Sequence, residues 1–208
     1  MLTFDLYEKN PRYILGFHGC DASILPCLIN QPTPTFKASK NDYDWLGSGM
    51  YFWENDPHRA LQYILEVQTR EPTRITKPCV VGAVIDLGHC LNLVENKYIE
   101  LLKSTYSFYE EFAKESSMEI AQNKPAYQTD HDRLYRNLDC AIIELIHASN
   151  KTNHSPEFDS VRGMFIEGGE AYPNSGFHQK THVQICIRNP KMIKGYFLPI
   201  QDHKIIEF

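Results

Sequence analysis

The stretch Trp45-Leu-Gly-Ser-Gly-Met-Tyr-Phe-Trp-Glu-Asn-Asp-Pro-His-Arg-Ala-Leu-Gln-Tyr63 constrains the fold more than any other part of the chain. Gly47 and Gly49 allow positive φ or a close approach of the backbone to a neighbour. Tyr51, Phe52 and Trp53 place three rings directly after that turn, where packing alone would be met by aliphatics, so the run reads as exposed. Asp56-Pro57 is a helix start, with Asp as N-cap and Pro in the first helical position. A turn, a ring cluster and a capped helix in that order suit a flat ligand held by glycine backbone and a stacked tyrosine.

Around this segment the pattern alternates strands and helices. Tyr13–Phe17 reads as an opening strand, and Cys79–Leu87 as a central strand apolar on both sides. Further strands are expected over Asp159–Ile166, Thr181–Ile187 and Met192–Leu198. The Thr181 segment alternates strictly: Val183, Ile185 and Ile187 form a core face, while His182, Gln184 and Cys186 face something polar. Helical spacing predicts one helix from Asp56, with Ala60, Leu61, Ile64 and Leu65 on its stripe. A second is predicted from near Val94, with Tyr98, Leu101, Leu102, Thr105, Tyr109 and Phe112, and a third from about Asn137, with Leu138, Ala141, Ile142, Leu145 and Ile146. Irregular segments are expected over Ser116–Asp132 and Gly168–Lys180, of a length that suits lids or binding loops. The strands cluster too strongly at the C-terminal end for regular βαβ winding, so the class is α+β, one domain over residues 1–208.

The net charge of −5 argues against coating duplex DNA by bulk electrostatics, while leaving room for a local basic groove. No apolar run reaches membrane-spanning length, and the start Met1-Leu-Thr-Phe-Asp-Leu-Tyr7 has no signal-peptide pattern, so a cytoplasmic protein is expected. The six cysteines form no Cys-x-x-Cys pair. Buried free thiols are expected, without zinc and without a disulfide framework.

His18 closes the first strand within Gly16-Phe-His-Gly-Cys20, where a ring nitrogen and the next backbone amide can serve one ligand or simply satisfy a neighbour. Strand His-Gly, a Gly-x-Gly-x-Tyr-Phe element some thirty residues on, and a helix carrying Tyr63 together resemble the poly(ADP-ribose) polymerase-like ADP-ribosyltransferases. The resemblance covers Gly16 to Tyr63 well and the C-terminal strands loosely. It implies a split mixed sheet flanked by helices, with NAD as ADP-ribose donor and no metal. It further implies that His18 holds a ribose hydroxyl, that Gly19 clasps the nicotinamide carboxamide, and that Tyr51 and Tyr63 face each other across the nicotinamide ring. Arg59-Ala60 stand where the family often has a basic residue and small ones. The chemistry is consistent: cleaving the nicotinamide–ribose bond releases a neutral leaving group, so placement and stabilisation of an oxocarbenium-like sugar are what a site must supply.

The family's third element is an acid at the start of a late strand, and here the Thr181 strand has none on its polar face. Gln184 is the candidate, His182 its rival. Glutamine offers no charge, and charge-assisted hydrogen bonds are roughly twice as strong as neutral ones. Glu167 or Glu170 could supply the carboxylate, or form a solvated turn beside Gly168-Gly169. Arg162 could pair with a pyrophosphate, or form a salt bridge with Asp159 or Glu167. Lys37, Lys40 and Asn41 could touch NAD phosphates or the acceptor, or sit in a solvated loop.

Asp44-Trp-Leu-Gly, Tyr51-Phe-Trp-Glu-Asn and the ending from Thr181 resemble a bacterial branch of that superfamily found among toxin–antitoxin and phage-defence modules. The resemblance implies a stand-alone toxin-like transferase with a possible antitoxin partner, acting on nucleic acid (RNA favoured over DNA) or on a protein side chain. The third possibility is a silent NAD-binding or interaction domain. The acceptor loop would be Gly168–Lys180, where Tyr172, Phe177 and His178, with His182 nearby, could stack and clamp an unpaired base, aided by Lys180 and Arg188.

Overall fold

A computed structural model describes residues 13–29, 37–125, 132–201 and 204–205. The N-terminal Met1–Tyr7 segment and residues 126–131 of the Ser116–Asp132 stretch lie outside the described residues. In chain order the elements are β1 (Tyr13–Asp21), α1 (Leu25–Ile29), β2 (Met50–Glu54), α2 (Pro57–Arg70), β3 (Pro78–Asp86), β4 (Cys90–Asn92), α3 (Asn96–Glu115), β5 (Asn123–Lys124), β6 (Tyr135–Arg136), α4 (Asn137–Thr152), β7 (Ser160–Phe165), β8 (His182–Ile187) and β9 (Ile193–Phe197). Two short pairs complete the list: β5 with β6, and β10 (Ile200–Gln201) with β11 (Lys204–Ile205).

One sheet organises the chain, in the order β4-β7-β8-β2-β1-β3-β9. The β4–β7 pair is parallel and the rest are antiparallel, so the sheet is mixed and the class α+β. The expected strands and helices are present, but β1 runs on to Asp21, so His18 lies inside the strand and does not close it. The Asp56-Pro57 start behaves as its chemistry requires. Asp56 Oδ1 accepts the Arg59 N–H at 2.8 Å, and Pro57 sits where no intrahelical donor is needed.

Side chains leave the sheet alternately. On one face, called the front, Phe17, Trp53 and Val80 pack against Ala60 of α2, and Tyr51, Val161 and Cys186 pack against Leu46 and against Ile143 and Ile146 of α4. On the back, Ile14, Met50, Phe52, Ala83, Ile85, Ile185 and Ile187 form the largest cluster, and Cys20, Cys79 and Val81 pack on Leu25 and Leu28 of the α1 region. Two expectations are overturned here. The aromatic run is not exposed: Phe52 and Trp53 are buried in opposite layers, and Tyr51 is half-buried. Nor does the second face of the Thr181 strand meet something polar throughout, because Cys186 packs on α4 and the rings of Trp53 and Phe165 lie against His182.

α3 carries its stripe only in part. Tyr98, Leu101 and Leu102 pack on the front cluster, while Phe112 is exposed and stacks on Phe108. Five cysteines are buried free thiols and Cys27 is exposed. Among the described residues no helix is long and apolar enough to cross a membrane.

Candidate functional site

β1 and β2 pair only over Gly16–Glu54 and Phe17–Trp53. The Asn55 N–H bonds Leu15 O, which makes the odd residues of β1 the ones whose amides and carbonyls face β2. The next such position, Gly19, therefore directs its N–H and C=O toward Tyr51, beyond the last paired position. His18 fills the backbone vacancy on the β2 side, with its Nδ1 at 2.8 Å from Tyr51 O. Burial holds the His18 ring below the ordinary histidine range, against the opposing pull of that carbonyl, so it is a neutral donor at Nδ1.

Gly19 is constrained by shape as well. A Cβ there would collide with Ala60 O and Ile64, so α2 lies directly on this glycine. Gly47 takes φ +77°, and its carbonyl accepts the Tyr51 hydroxyl at 2.8 Å while the same hydroxyl accepts the Leu46 N–H at 3.0 Å. Burial drives the Tyr51 phenol far up from its usual range, so it acts as a neutral strut. Glu144 of α4 fixes the turn from the other side: it accepts the Ser48 N–H at 2.6 Å and pairs with Arg188 at 2.7 Å, while Arg188 also donates to Ser48 O at 3.0 Å. Arg188 is thus a structural clamp at the turn.

The residues named from sequence fall into two layers. His18 lies with Val81 and Phe52 on the back, whereas the rings of Tyr51 and Tyr63 lie on the front. His18 consequently touches the backbone of Tyr51 and not its ring. Tyr63 packs against Trp53, with ring centroids 5.0 Å apart, and Tyr51 leans toward α4. Tyr63 thus has Trp53 as its ring partner, and Tyr51 packs on the cluster that includes Ile143 and Ile146. Gln184 pairs across the ladder with Trp53 on this front face, and its Oε1 accepts Trp45 Nε1–H at 2.6 Å. With Oε1 oriented by Trp45, the second lone pair and the amide N–H groups are what Gln184 has left to offer a hydroxyl.

Other assignments are redirected. Arg162 is not placed for a pyrophosphate. It stands on the back face, where Glu54 takes its Nε and Nη2 and Asn92 Oδ1 takes its Nη1 at 3.1 Å, so neither Asp159 nor Glu167 is its partner. Glu167 is paired with Arg59 at 2.8 Å, both largely buried, and is not a free carboxylate. Glu170 accepts the Asn174 N–H in an exposed turn. His182 is buried, stacked on Phe165 and 6.0 Å from the Trp53 ring, so it does not face an acceptor.

Tyr172 and Phe177 are exposed, on a small hairpin closed by the Glu170–His178 bridge and by Ala171 N–H to Phe177 O at 2.8 Å. His178 Nδ1 lies 2.8 Å from Gly168 O and helps close that hairpin. Lys180 pairs with Glu66 at 2.8 Å. Lys37, Lys40 and Asn41 are exposed, and Asn41 bonds Ser39 and Asp44 within its own loop.

Trp45, Glu144 and the pairing of Arg59 with Glu167 carry the site's geometry without having been foreseen, whereas Glu167 and His182 themselves were named from the sequence, as a candidate carboxylate and as the rival of Gln184. Arg59 was marked by position, on the first turn of α2. Among the described residues no His, Cys, Asp or Glu cluster is arranged to hold a metal. No protein-family model, curated protein or solved structure matches this chain.

Proposed function

We propose that the chain is an NAD-dependent mono-ADP-ribosyltransferase whose acceptor is nucleic acid, RNA ahead of DNA. The observation that carries this reading is the split between β1 and β2 at Gly19. A carboxamide has one acceptor oxygen and one donor nitrogen, and the Gly19 N–H and C=O offer the complementary pair toward that split. Tyr51, Trp53 and Tyr63 supply aromatic surface beside it, and Gln184 lies one ladder step from the same rings. In this reading the site's residues position and desolvate, and no general acid is required because nicotinamide leaves as a neutral group. The exposed rings of Tyr172 and Phe177 suit stacking on an unpaired base.

A second reading is favoured by one specific observation. The candidate carboxylate Glu167 is neutralised by Arg59, and Gln184 is uncharged, which suits a domain that binds NAD and transfers nothing. Incubation with labelled NAD and cell extract separates the two, with label partitioned by RNase, DNase and protease. Transfer into the RNase-sensitive pool, abolished by Tyr51→Ala and by Gln184→Ala, is expected. Label in the protease-sensitive pool would move the acceptor to protein. NAD binding without consumption would leave the silent domain as the answer.

A further inference from the structure

Arg59 is buried to 6 % exposure, yet its Nη2 alone is used, in the ion pair with Glu167. Its Nε and Nη1 have no hydrogen-bond partner among the described residues, and neither do Trp53 Nε1 and His182 Nε2. These atoms belong to one cluster: Arg59 Cζ lies 5.9 Å from the Trp53 ring centroid, and the Trp53 and His182 rings are 6.0 Å apart. Buried polar groups are normally satisfied, so four such atoms on three neighbouring side chains mark a missing partner of matching polarity. The polarity can be read off. Arg59 and Trp53 contribute N–H donors only. His182 places Nδ1 2.6 Å from Lys180 O, so that nitrogen carries the proton and Nε2 presents a lone pair. Burial, with the nearby Arg59 charge, lowers the ring's affinity for a second proton.

The missing partner must therefore carry several acceptor oxygens, negative charge for Arg59, and one O–H for His182. We propose that this cluster is a binding site for a terminal phosphate, with its anionic oxygens on Arg59 and Trp53 and its P–OH on His182 Nε2. Glu167 is the intramolecular stand-in. A buried guanidinium needs a counter-charge at all times, and exchange of one anion for another preserves it. A carboxylate has two oxygens and no proton, which leaves the remaining atoms of the cluster unmet. Entry requires the Glu167–Lys180 segment to lift, and two ion pairs strap it to α2: Arg59–Glu167 and Lys180–Glu66. The site needs neither NAD nor an acceptor, and so stands apart from the transferase reading.

The chain has two tryptophans, so its ¹⁵N–¹H spectrum holds two indole signals, assigned with Trp45→Phe. Titration with millimolar inorganic phosphate is expected to move the Trp53 signal saturably, and sulfate, which lacks the proton, is not. Glu167→Gln removes the competing carboxylate and should tighten the apparent Kd about tenfold or more. Arg59→Lys should abolish the response. A 5′-phosphorylated dinucleotide is compared with its 5′-hydroxyl counterpart. Response to inorganic phosphate assigns the free anion, and response to the phosphorylated dinucleotide alone assigns a nucleotide end. A Trp53 signal unmoved by every phosphate form, in both the wild type and folded Glu167→Gln, overturns the site. Equal response to sulfate or to the 5′-hydroxyl dinucleotide does the same.

Discussion

His147, on α4, is buried with its Nε2 lacking a hydrogen-bond partner among the described residues, and its ring stands edge-on to Phe158. Burial, reinforced by the Arg188 charge and partly opposed by Glu144, drives it from 6.5 down to about 4. Between those values the unfolded chain binds the proton that the folded one refuses. The stability tied to this group is thus complete above pH 6.5 and is lost as pH falls toward 4, with roughly 3 kcal/mol at stake. Urea unfolding at both ends of that window should show the wild type losing more than His147→Leu by about that amount; parallel losses would mean the folded ring accepts its proton freely. At this scale the sequence was legible in part. His18 and Tyr51 do meet, through the His18 ring and the Tyr51 carbonyl, but inside β1 and not at its end, since the strand runs on to Asp21. The Trp45–Gln184 bond spans 139 residues and the Arg59–Glu167 pair 108, and no local pattern encodes either. Arg162 does form a salt bridge, one of its two expected roles, but its partner Glu54 is also 108 residues away and no local pattern names it.

α2 is the element on which the site depends, since it brings Arg59 and Tyr63 to the front face and lies against Gly19. Its N-cap is a single side-chain bond, so Asp56→Ala should lower stability by about 1 kcal/mol, read as a shift in the urea midpoint with unchanged slope. A midpoint that stays in place would show the first turn to be held by packing alone. The three longer helices were legible because a period of 3.6 survives in any tertiary context, aided in α2 by its Asp56 cap; α1, five residues long, is too short to show that period. β2 was harder. Its five residues are covered on both faces, so Tyr51, Phe52 and Trp53 show no alternation, and rings after a turn look the same whether they are exposed or buried between layers. The β4–β7 pairing was illegible for a different reason: a three-residue parallel strand leaves almost no pattern.

In the whole molecule, β8 joins two groups of strands, β4-β7 on one side and β2-β1-β3-β9 on the other. Its Ile185, Cys186 and Ile187 are fully buried, the isoleucines in the back cluster and Cys186 in the front one. Neither group keeps its apolar faces covered without the other, so unfolding should be a single cooperative transition. Tryptophan fluorescence and far-ultraviolet circular dichroism should give coincident urea midpoints, and separated midpoints would show the halves folding alone. The mixed sheet was foreseen as a class, but its order was not, because strand adjacency is written in long-range contacts that one sequence does not display.

The position of β8 also bears on how the chain is made. Residues 182–187 leave the ribosome after every strand they must join, yet their place is in the middle of the sheet. Until they arrive, β2 and β7 each present an open edge to other nascent chains. The interval between translating Glu54 and translating Ile187 is therefore the period in which a chaperone has most to shield.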